Sequence, residues 1–356
     1  MIAARSIGWR ASVLDCGSPL PLSHAGQAPI LQTGAKTFRL VKLFLLLLIL
    51  CISSLLTPAS ATPDQTTNEV FLFTSFRANG EDGLHLLSSQ DAYHWVALNQ
   101  DKTFLRPEIG HQIMRDPSLA LGPDGAFHLV WTSGWTAEKG RIFGYARSKD
   151  LLRWSVQRAV PVMQDEPLAR NIWAPELFYD DAKKQWLIFW SSTIPGRFAP
   201  SDHTGDDGYN HRVYCVATPD FERFSPTRLF YEPGFNIIDA SMLQAGKKFI
   251  LFFKDERKNP LQKKLRYAVA GQAEGPFGAA SEPFTEQWVE GPSAIQVRGW
   301  TIVYFDHFAE PQHYGAVRSK DLKVWEDCSK EMSFPPGHRH GTVLRVPSPI
   351  AGRLPK

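Results

Sequence analysis

From Val70 onward, apolar residues fall in short aromatic and β-branched runs separated by polar turns. Leu119-Ala120-Leu121 is followed by Gly122-Pro123-Asp124-Gly125 and then by Phe127-His128-Leu129-Val130-Trp131. The outline returns in Leu177-Phe178-Tyr179 with Trp186-Leu187-Ile188-Phe189-Trp190, and in Met242-Leu243 with Phe249-Ile250-Leu251-Phe252-Phe253. Ala294-Ile295-Gln296-Val297 with Trp300-Thr301-Ile302-Val303-Tyr304-Phe305 is the last copy. Short runs of this composition, bounded by Gly, Pro and Asp, predict paired strands. No long helix can be placed after residue 61.

A second pattern lies over the first. Residues 88–95 (SSQDAYHW), 147–154 (RSKDLLRW) and 318–325 (RSKDLKVW) share one outline, and 217–224 (ATPDFERF) is a weaker copy. Each reads as a strand end, a turn begun by Asp, and an aromatic opening the next strand, because an Asp carboxylate bonds backbone two residues on. Hairpins plus this turn make four-stranded units recurring about every sixty residues. Such units predict an all-β fold, a five-bladed β-propeller. The C-terminal strand 341–346 would close it by pairing with the N-terminal blade that begins at 70–74. A β-sandwich is the competing arrangement.

The N-terminus has a different texture. Leu43 to Leu56 is almost wholly apolar, Lys36, Arg39 and Lys42 precede it, and Ala59-Ser60-Ala61 follows it. A basic region, a short apolar core and a small-x-small site predict a signal peptide cleaved after Ala61. The run falls short of the ~20 residues a spanning helix needs. Residues 1–61 are therefore read as an extension and signal peptide, and 62–356 as a single propeller domain, secreted or periplasmic and free of membrane when mature. An uncleaved anchor is the other reading, and residues 1–35 fit neither well.

The formal charge of +3 belongs mostly to that extension. Without residues 1–61, 34 bases face 35 acids. A near-neutral domain predicts no nucleic-acid partner. No spacing among Cys16, Cys51, Cys215 and Cys328 resembles a zinc site.

Acids recur just before the hairpins: Asp116 in Arg115-Asp116-Pro117-Ser118, Glu176 in Trp173-Ala174-Pro175-Glu176, Asp239 in Ile238-Asp239-Ala240-Ser241, and Glu290 in Glu290-Gly291-Pro292. First strands of propeller blades ring one channel, so these acids are expected to sit at equivalent places and converge. Crowded carboxylates raise one another's pKa, which lets one stay protonated while another ionises. That is the equipment for hydrolysing a glycosidic bond. Any one of these acids reads equally as a turn cap or a partner of a base such as Arg115.

These motifs, with His340-Gly341-Thr342, occur in an order that resembles glycoside hydrolase family 43, over roughly residues 70–346. The resemblance implies a five-bladed propeller that hydrolyses arabinose- or xylose-containing glycans with inversion. It implies Asp116 as general base, Glu290 as general acid and Asp239 as the residue that orients the acid and tunes its pKa. The implied activity is an exo-acting α-L-arabinofuranosidase, with β-xylosidase, galactosidase or a non-catalytic glycan-binding propeller as alternatives, and a plant-type oligo- or polysaccharide as partner. It requires no cofactor. His340 matches a histidine that in many members helps hold a hydrated calcium ion near the axis. As a lone residue it reads equally as a hydrogen-bonded structural histidine.

Sugars stack on aromatic faces. Trp135 and Trp173 are the candidate platform, though each also fits blade packing. Glu176, where Asp is common in the family, and Arg212 complete the candidate substrate contacts. Arg212 ends a polar, Gly-rich insertion at 195–212 whose Asp206, Asp207, Asn210 and His211 have donors for a sugar or an ion, or for solvent. Arg77, Glu81 and Asp82 lie in a second polar turn, read as pocket rim or plain turn.

Overall fold

The structure is a computed structural model that describes residues 69–137 and 141–356. The signal-peptide reading and its cleavage point fall outside the described residues. Five antiparallel sheets form the blades of a propeller. Blade I comprises Arg115–Leu121, Phe127–Thr132, Ile142–Ser148 and Arg158–Pro161. Blade II comprises Trp173–Asp180, Gln185–Thr193, His211–Thr218 and Arg228–Tyr231. Blade III holds Ile237–Ala245, Lys248–Asp255 and Lys264–Ala270, and blade IV holds Val289–Val297, Trp300–His307, His313–Ser319 and Glu326–Asp327. Blade V is assembled from both ends of the propeller. Its inner edge is His338–Arg339 and Val343–Pro347, both paired with Glu69–Arg77, which continues into His85–Ser89 and Val96–Ala97. The chain therefore closes as the hairpin pattern predicts.

The repeated Asp turn joins the third and fourth strands of blades I, II, IV and V. In each copy one Asp Oδ1 accepts two successive backbone N–H groups: Asp91 from Tyr93 and His94, Asp150 from Leu152 and Arg153, Asp220 from Glu222 and Arg223, Asp321 from Lys323 and Val324. The residue after the Asp is left-handed every time, at φ 69° for Ala92, 61° for Leu151, 59° for Phe221 and 64° for Leu322. That conformation is unfavourable for a non-glycine residue. The carboxylate bonds, and in three copies full burial of the side chain, offset it.

Blade III lacks the turn and has three strands where four were expected. Gly271 to Gly275 and Pro276 stand in its place, and proline cannot donate to a ladder. The segment after them still runs beside the third strand through Gly278 N–H to Val269 O at 3.0 Å and Ser281 N–H to Tyr267 O at 2.8 Å.

The core lies between blades. Phe73 of blade V meets Tyr304 and Tyr314 of blade IV edge-on, with Trp95 and Phe334 closing the cluster. Blades I and II share Val130, Phe143, Leu177, Trp186 and Trp190. Each large apolar side chain buried in this way contributes about 1.5–3 kcal/mol. Trp186 and Trp190 are core, whereas Trp300 is half-buried under Arg318 and Lys320. No helix among the described residues is long and apolar enough to cross a membrane.

Candidate active site

The inner strand of every blade carries the same defect. Pairing with the second strand slips by one residue between Arg115 and Ser118, Trp173 and Glu176, Ile238 and Ser241, and Glu290 and Ser293. In blade V the slip falls between Arg339 and Val343. Each is a β-bulge, which re-aims side chains at a strand end. Aligned by the bulge, its first residues are Arg115, Trp173, Ile238, Glu290 and Arg339. The second residues are Asp116, Ala174, Asp239, Gly291 and His340, and the first four have φ from 47° to 60°. The fourth residues are Ser118, Glu176, Ser241, Ser293 and Thr342.

This alignment corrects the expectation of equivalent acids. Asp116 and Asp239 are second residues, Glu290 is a first and Glu176 a fourth. All first residues but Arg339 line one pocket of about 170 Å³, with Asp116, Asp239 and His340 of the second set. Thr132, Trp135, Lys254 and Glu256 complete its wall. Glu176 does not line it. Its carboxylate lies among the other fourth residues, accepting from Thr342 Oγ1 at 3.1 Å and Ser241 Oγ at 3.5 Å. Burial pushes it up to about 7 against those hydroxyl bonds. It links blades II, III and V two residues away from the bulge position that carries Asp116.

The pocket's charges are paired unevenly. Asp116 Oδ1 lies 3.1 Å from His340 Nδ1, and its Oδ2 accepts from Thr132 Oγ1 at 2.8 Å. Burial would raise this carboxyl, but His340, Arg115 and Thr132 outweigh it and hold it well below the usual range. Burial would likewise discharge His340, yet Asp116, then Asp239 and Asp306, push the imidazole up to about 10. At neutral pH the two form an ion pair.

Glu290 sits between two cations, Lys254 Nζ at 2.9 Å and Arg339 Nη2 at 3.0 Å. Burial alone would raise it; Lys254 and Arg339 together bring it below its ordinary value. Asp239 is pushed up to about 7 by burial and by the charge of Glu290, with His340 and Lys254 opposing. Asp306, opposite Glu290 in the ladder, rises to about 6 through burial and the same charge. The two carboxyls titrate as a set: the proton rests on Asp239 while Glu290 is ionised.

Gly291 is glycine for close approach. Asp116, Ala174 and Asp239 show that the bulge accepts a Cβ at positive φ. A Cβ on Gly291, however, would stand 2.6 Å from the His340 ring. Gly291→Ala is expected to destabilise the protein by about 2 kcal/mol, a typical overpacking penalty, and to lower Tm by several degrees in thermal denaturation. An unchanged Tm would mean that His340 has room to move.

Trp135 and Trp173 both face the pocket. Trp173 Nε1 donates to Trp135 O at 3.1 Å, and the Arg115 guanidinium lies over the Trp135 ring at 4.5 Å. Trp135 is 42% exposed. Arg212, by contrast, is not a pocket residue. It is 1% exposed, paired with Glu232 at 2.6 Å, bonded to Asn210 and Ser201, and stacked under Phe198. A buried guanidinium needs this many partners, so the insertion folds over it. Three of the loop's other polar side chains are engaged the same way: Asp206 accepts from Lys258 and Lys263, Asn210 donates to Asp202, and His211 Nδ1 lies 3.0 Å from Thr193 Oγ1. Tyr209 stacks on His211 and touches Trp173, so the loop buttresses the platform from behind. Arg77, Glu81 and Asp82 are engaged within blade V and do not line the pocket.

Sequence reasoning missed Lys254, Glu256, Asp306 and Arg339. Lys254 and Asp306 share a signal with Thr132: each is the polar residue that follows the apolar run of a second strand, opposite the first residue of a bulge. His340, the residue expected to help hold a hydrated calcium ion near the axis, has its Nδ1 3.1 Å from Asp116 Oδ1.

Residues 67–349 match a family described as "Probable glycosyl hydrolase domain", a relative of glycoside hydrolase family 43. An α-L-arabinofuranosidase of Bifidobacterium longum subsp. longum is 27% identical over 200 residues, 51% of this chain and 19% of that protein. The chain thus spans about a fifth of that relative's length. Among solved structures, the α-L-arabinanase of Cellvibrio cellulosa complexed with arabinohexaose superposes with TM-score 0.52 at 15% identity, covering 74% of this chain and 93% of that one. An α-L-arabinofuranosidase from Lactobacillus brevis gives TM-score 0.47 at 20% identity, covering 61% and 72%.

Proposed function

The chain belongs to the glycosyl hydrolase family related to glycoside hydrolase family 43, and from that premise we propose that it is an exported, inverting, exo-acting glycosidase. One observation carries the reading. A single small pocket holds an ionised carboxylate, Asp116, together with a carboxyl set, Glu290 and Asp239, that retains a proton near neutral pH.

Asp116 takes the proton from a water. Its charge is secured by His340, so it acts as base without waiting for deprotonation. The proton held by Asp239 passes to Glu290, which donates it to the leaving oxygen as the bond breaks, so the site ends with Asp116 protonated and Asp239 ionised. Attack by water in one step inverts the anomeric carbon. A pocket of about 170 Å³ lies below the 300–1,000 Å³ typical of ligand sites, which suits one terminal sugar ring and supports exo action. Trp135 and Trp173 give that ring an apolar floor. The proposed sugar is α-L-arabinofuranose at the end of a plant-type glycan, after the Bifidobacterium relative; β-D-xylose and β-D-galactose are the alternatives. Export rests on the basic, apolar and small-residue succession before Ala61.

The test is hydrolysis of aryl α-L-arabinofuranoside, β-D-xyloside and β-D-galactoside by the purified protein, with the first-formed anomer read by NMR. We expect arabinofuranoside cleavage with inverted product. A retained product would reject the water mechanism, and silence on all three and on arabinoxylan oligosaccharides would reject the glycosidase.

A second reading, a propeller that binds glycans without cleaving them, is favoured by one observation, the double cation on Glu290. The pH profile separates the two. An acid must be protonated to act, so kcat/KM should fall as pH rises through about 7, where Asp239 loses its proton. The acid-side limb should lie below the ordinary carboxylate range, because Asp116 is held low. In Lys254→Met, loss of the cation raises Glu290, and the alkaline limb should move up by about one pH unit. A limb unmoved in this variant would leave Lys254 a structural residue only.

A further inference from the structure

Outside the pocket, three side chains of blade V turn their ligand atoms toward one point. His85 Nδ1 lies 3.0 Å from Asp101 Oδ1, and His338 Nε2 lies 3.1 Å from the same oxygen. All three atoms fall within 4.8 Å of one another. We propose that His85, Asp101 and His338 form a binding site for a divalent transition ion of the zinc class.

Tetrahedral zinc with bonds of about 2.0–2.2 Å places neighbouring donors about 3.3 Å apart. The two histidine–Asp101 spacings, 3.0 and 3.1 Å, lie within a few tenths of an ångström of that, and the two imidazole nitrogens lie within 4.8 Å of each other.

The histidines are oriented from behind. His85 Nε2 lies 2.8 Å from Asp82 Oδ2, and His338 Nδ1 lies 2.8 Å from Ser75 Oγ. A metal-bound imidazole ordinarily donates its far N–H to a carboxylate or another oxygen. With both far nitrogens donating, His85 Nδ1 and His338 Nε2 present lone pairs to the Asp101 carboxylate. In that tautomer the three acceptors face one another and a cation between them satisfies all three; in the metal-free state a proton on His85 Nδ1, 3.0 Å from Asp101 Oδ1, takes the cation's place.

His338 Nε2 supplies the independent observation. His338 is 2% exposed, and this nitrogen makes no hydrogen bond despite standing 3.1 Å from a carboxylate oxygen. The pair is close without being aligned, as expected of two atoms aimed at a third.

Asp101 reaches this point on a strained turn: Asn99, Gln100 and Asp101 are all left-handed, at φ 57°, 55° and 60°. Three consecutive non-glycine residues in this conformation persist only where their surroundings over-determine them. Two imidazoles and one carboxylate suit zinc and its neighbours, whereas calcium and magnesium prefer oxygen. The Arg77 guanidinium on Asp101 Oδ2, at 2.6 Å, removes the charge a hard cation would need. Asp101 is half-buried, so solvent can fill a fourth position.

The ion would clip the ring at its closure. His85 and Asp101 belong to the N-terminal part of blade V and His338 to its C-terminal return. Its chain neighbours Arg339 and His340 are the contacts of Glu290 and Asp116. The proposal does not depend on the glycosidase reading.

The test uses the whole protein, stripped by chelator and titrated with zinc chloride against a chromophoric competitor. We expect one equivalent bound, no competition by calcium or magnesium, and a Tm rise of about 5 °C at zinc a hundredfold above Kd. A cobalt(II) titration should show d–d bands of a nitrogen- and oxygen-ligated ion. His338→Gln should weaken binding at least a hundredfold. Should that variant fail to fold, Ser75→Ala, which removes only the outer hydrogen bond, should weaken it about tenfold. Absence of stoichiometric zinc on the unmodified protein would overturn the proposal. Equal affinity in a folded Asp101→Asn/His338→Gln variant would overturn it as well.

Discussion

Asp116→Asn is expected to lower kcat by about three to four orders of magnitude, the upper range for losing a positioned general base. The amide has the shape of the carboxylate and keeps an oxygen for Thr132, but it takes no proton from water. It also removes the partner that holds the His340 proton. A buried charge stripped of its partner typically costs about 3–5 kcal/mol, unless the group neutralises instead. His340 can do so by releasing its proton, which limits the damage. The sign of the linkage follows. A group whose folded pKa is raised stabilises the native state below its unfolded pKa, and that contribution is lost as pH rises through the folded value. The unmodified protein should therefore lose the His340 contribution between about 6.5 and about 10, and Asp116→Asn should show a weaker dependence, since Asp239 and Asp306 still act on the imidazole. Turnover by a variant with native circular dichroism, and Tm against pH for both proteins, are the measurements. A folded variant retaining a tenth of the activity would move the base elsewhere.

Glu290→Gln should give a loss that depends on the leaving group. A natural glycan leaves as an alkoxide unless protonated, so the variant should lose about a thousandfold or more in kcat. An aryl glycoside with an acidic phenol leaves without help, and there the loss should shrink to about tenfold. That contrast separates an acid from a residue that merely shapes the pocket, whose loss would be the same for both substrates. Removing Glu290 also strips Lys254 and Arg339 of a shared counter-charge. Asp239, relieved of a negative neighbour, should titrate lower than about 7. The activity remaining on the aryl substrate should then be less dependent on Asp239.

The legible part of this protein was its periodicity. Alternating aromatic and β-branched runs with Gly, Pro and Asp between them are local signals, and they located the hairpins and the closing strand near their observed places. The Asp turn was also readable, because its bonds run between residues two and three apart. The candidate site was half legible. Asp116, Asp239 and Glu290 precede hairpins in the sequence, and they do reach one pocket. Glu176 precedes a hairpin too and does not, since it stands two residues past the Asp116 position of the bulge. Arg212 reads as a loop cation free to meet a substrate, but it is taken up by Ser201 and Asn210 of its own loop and by Glu232 beyond it, and only the folded loop brings these together.

Chain order and residue type by themselves determined the strands, the turns, the number of blades and which acids stand near an inner strand's start. Those properties depend on backbone preference and on contacts between near neighbours. Only the tertiary structure decided which acids share a pocket, which one carries the proton and which cations answer them. A one-residue slip in each ladder sets the direction of every side chain around the channel. The charges that set each pKa, Lys254 and Arg339 on Glu290 and His340 on Asp116, come from blades far apart in sequence. Burial and Coulomb energy depend on distance in space, and that distance exists only once the ring is closed.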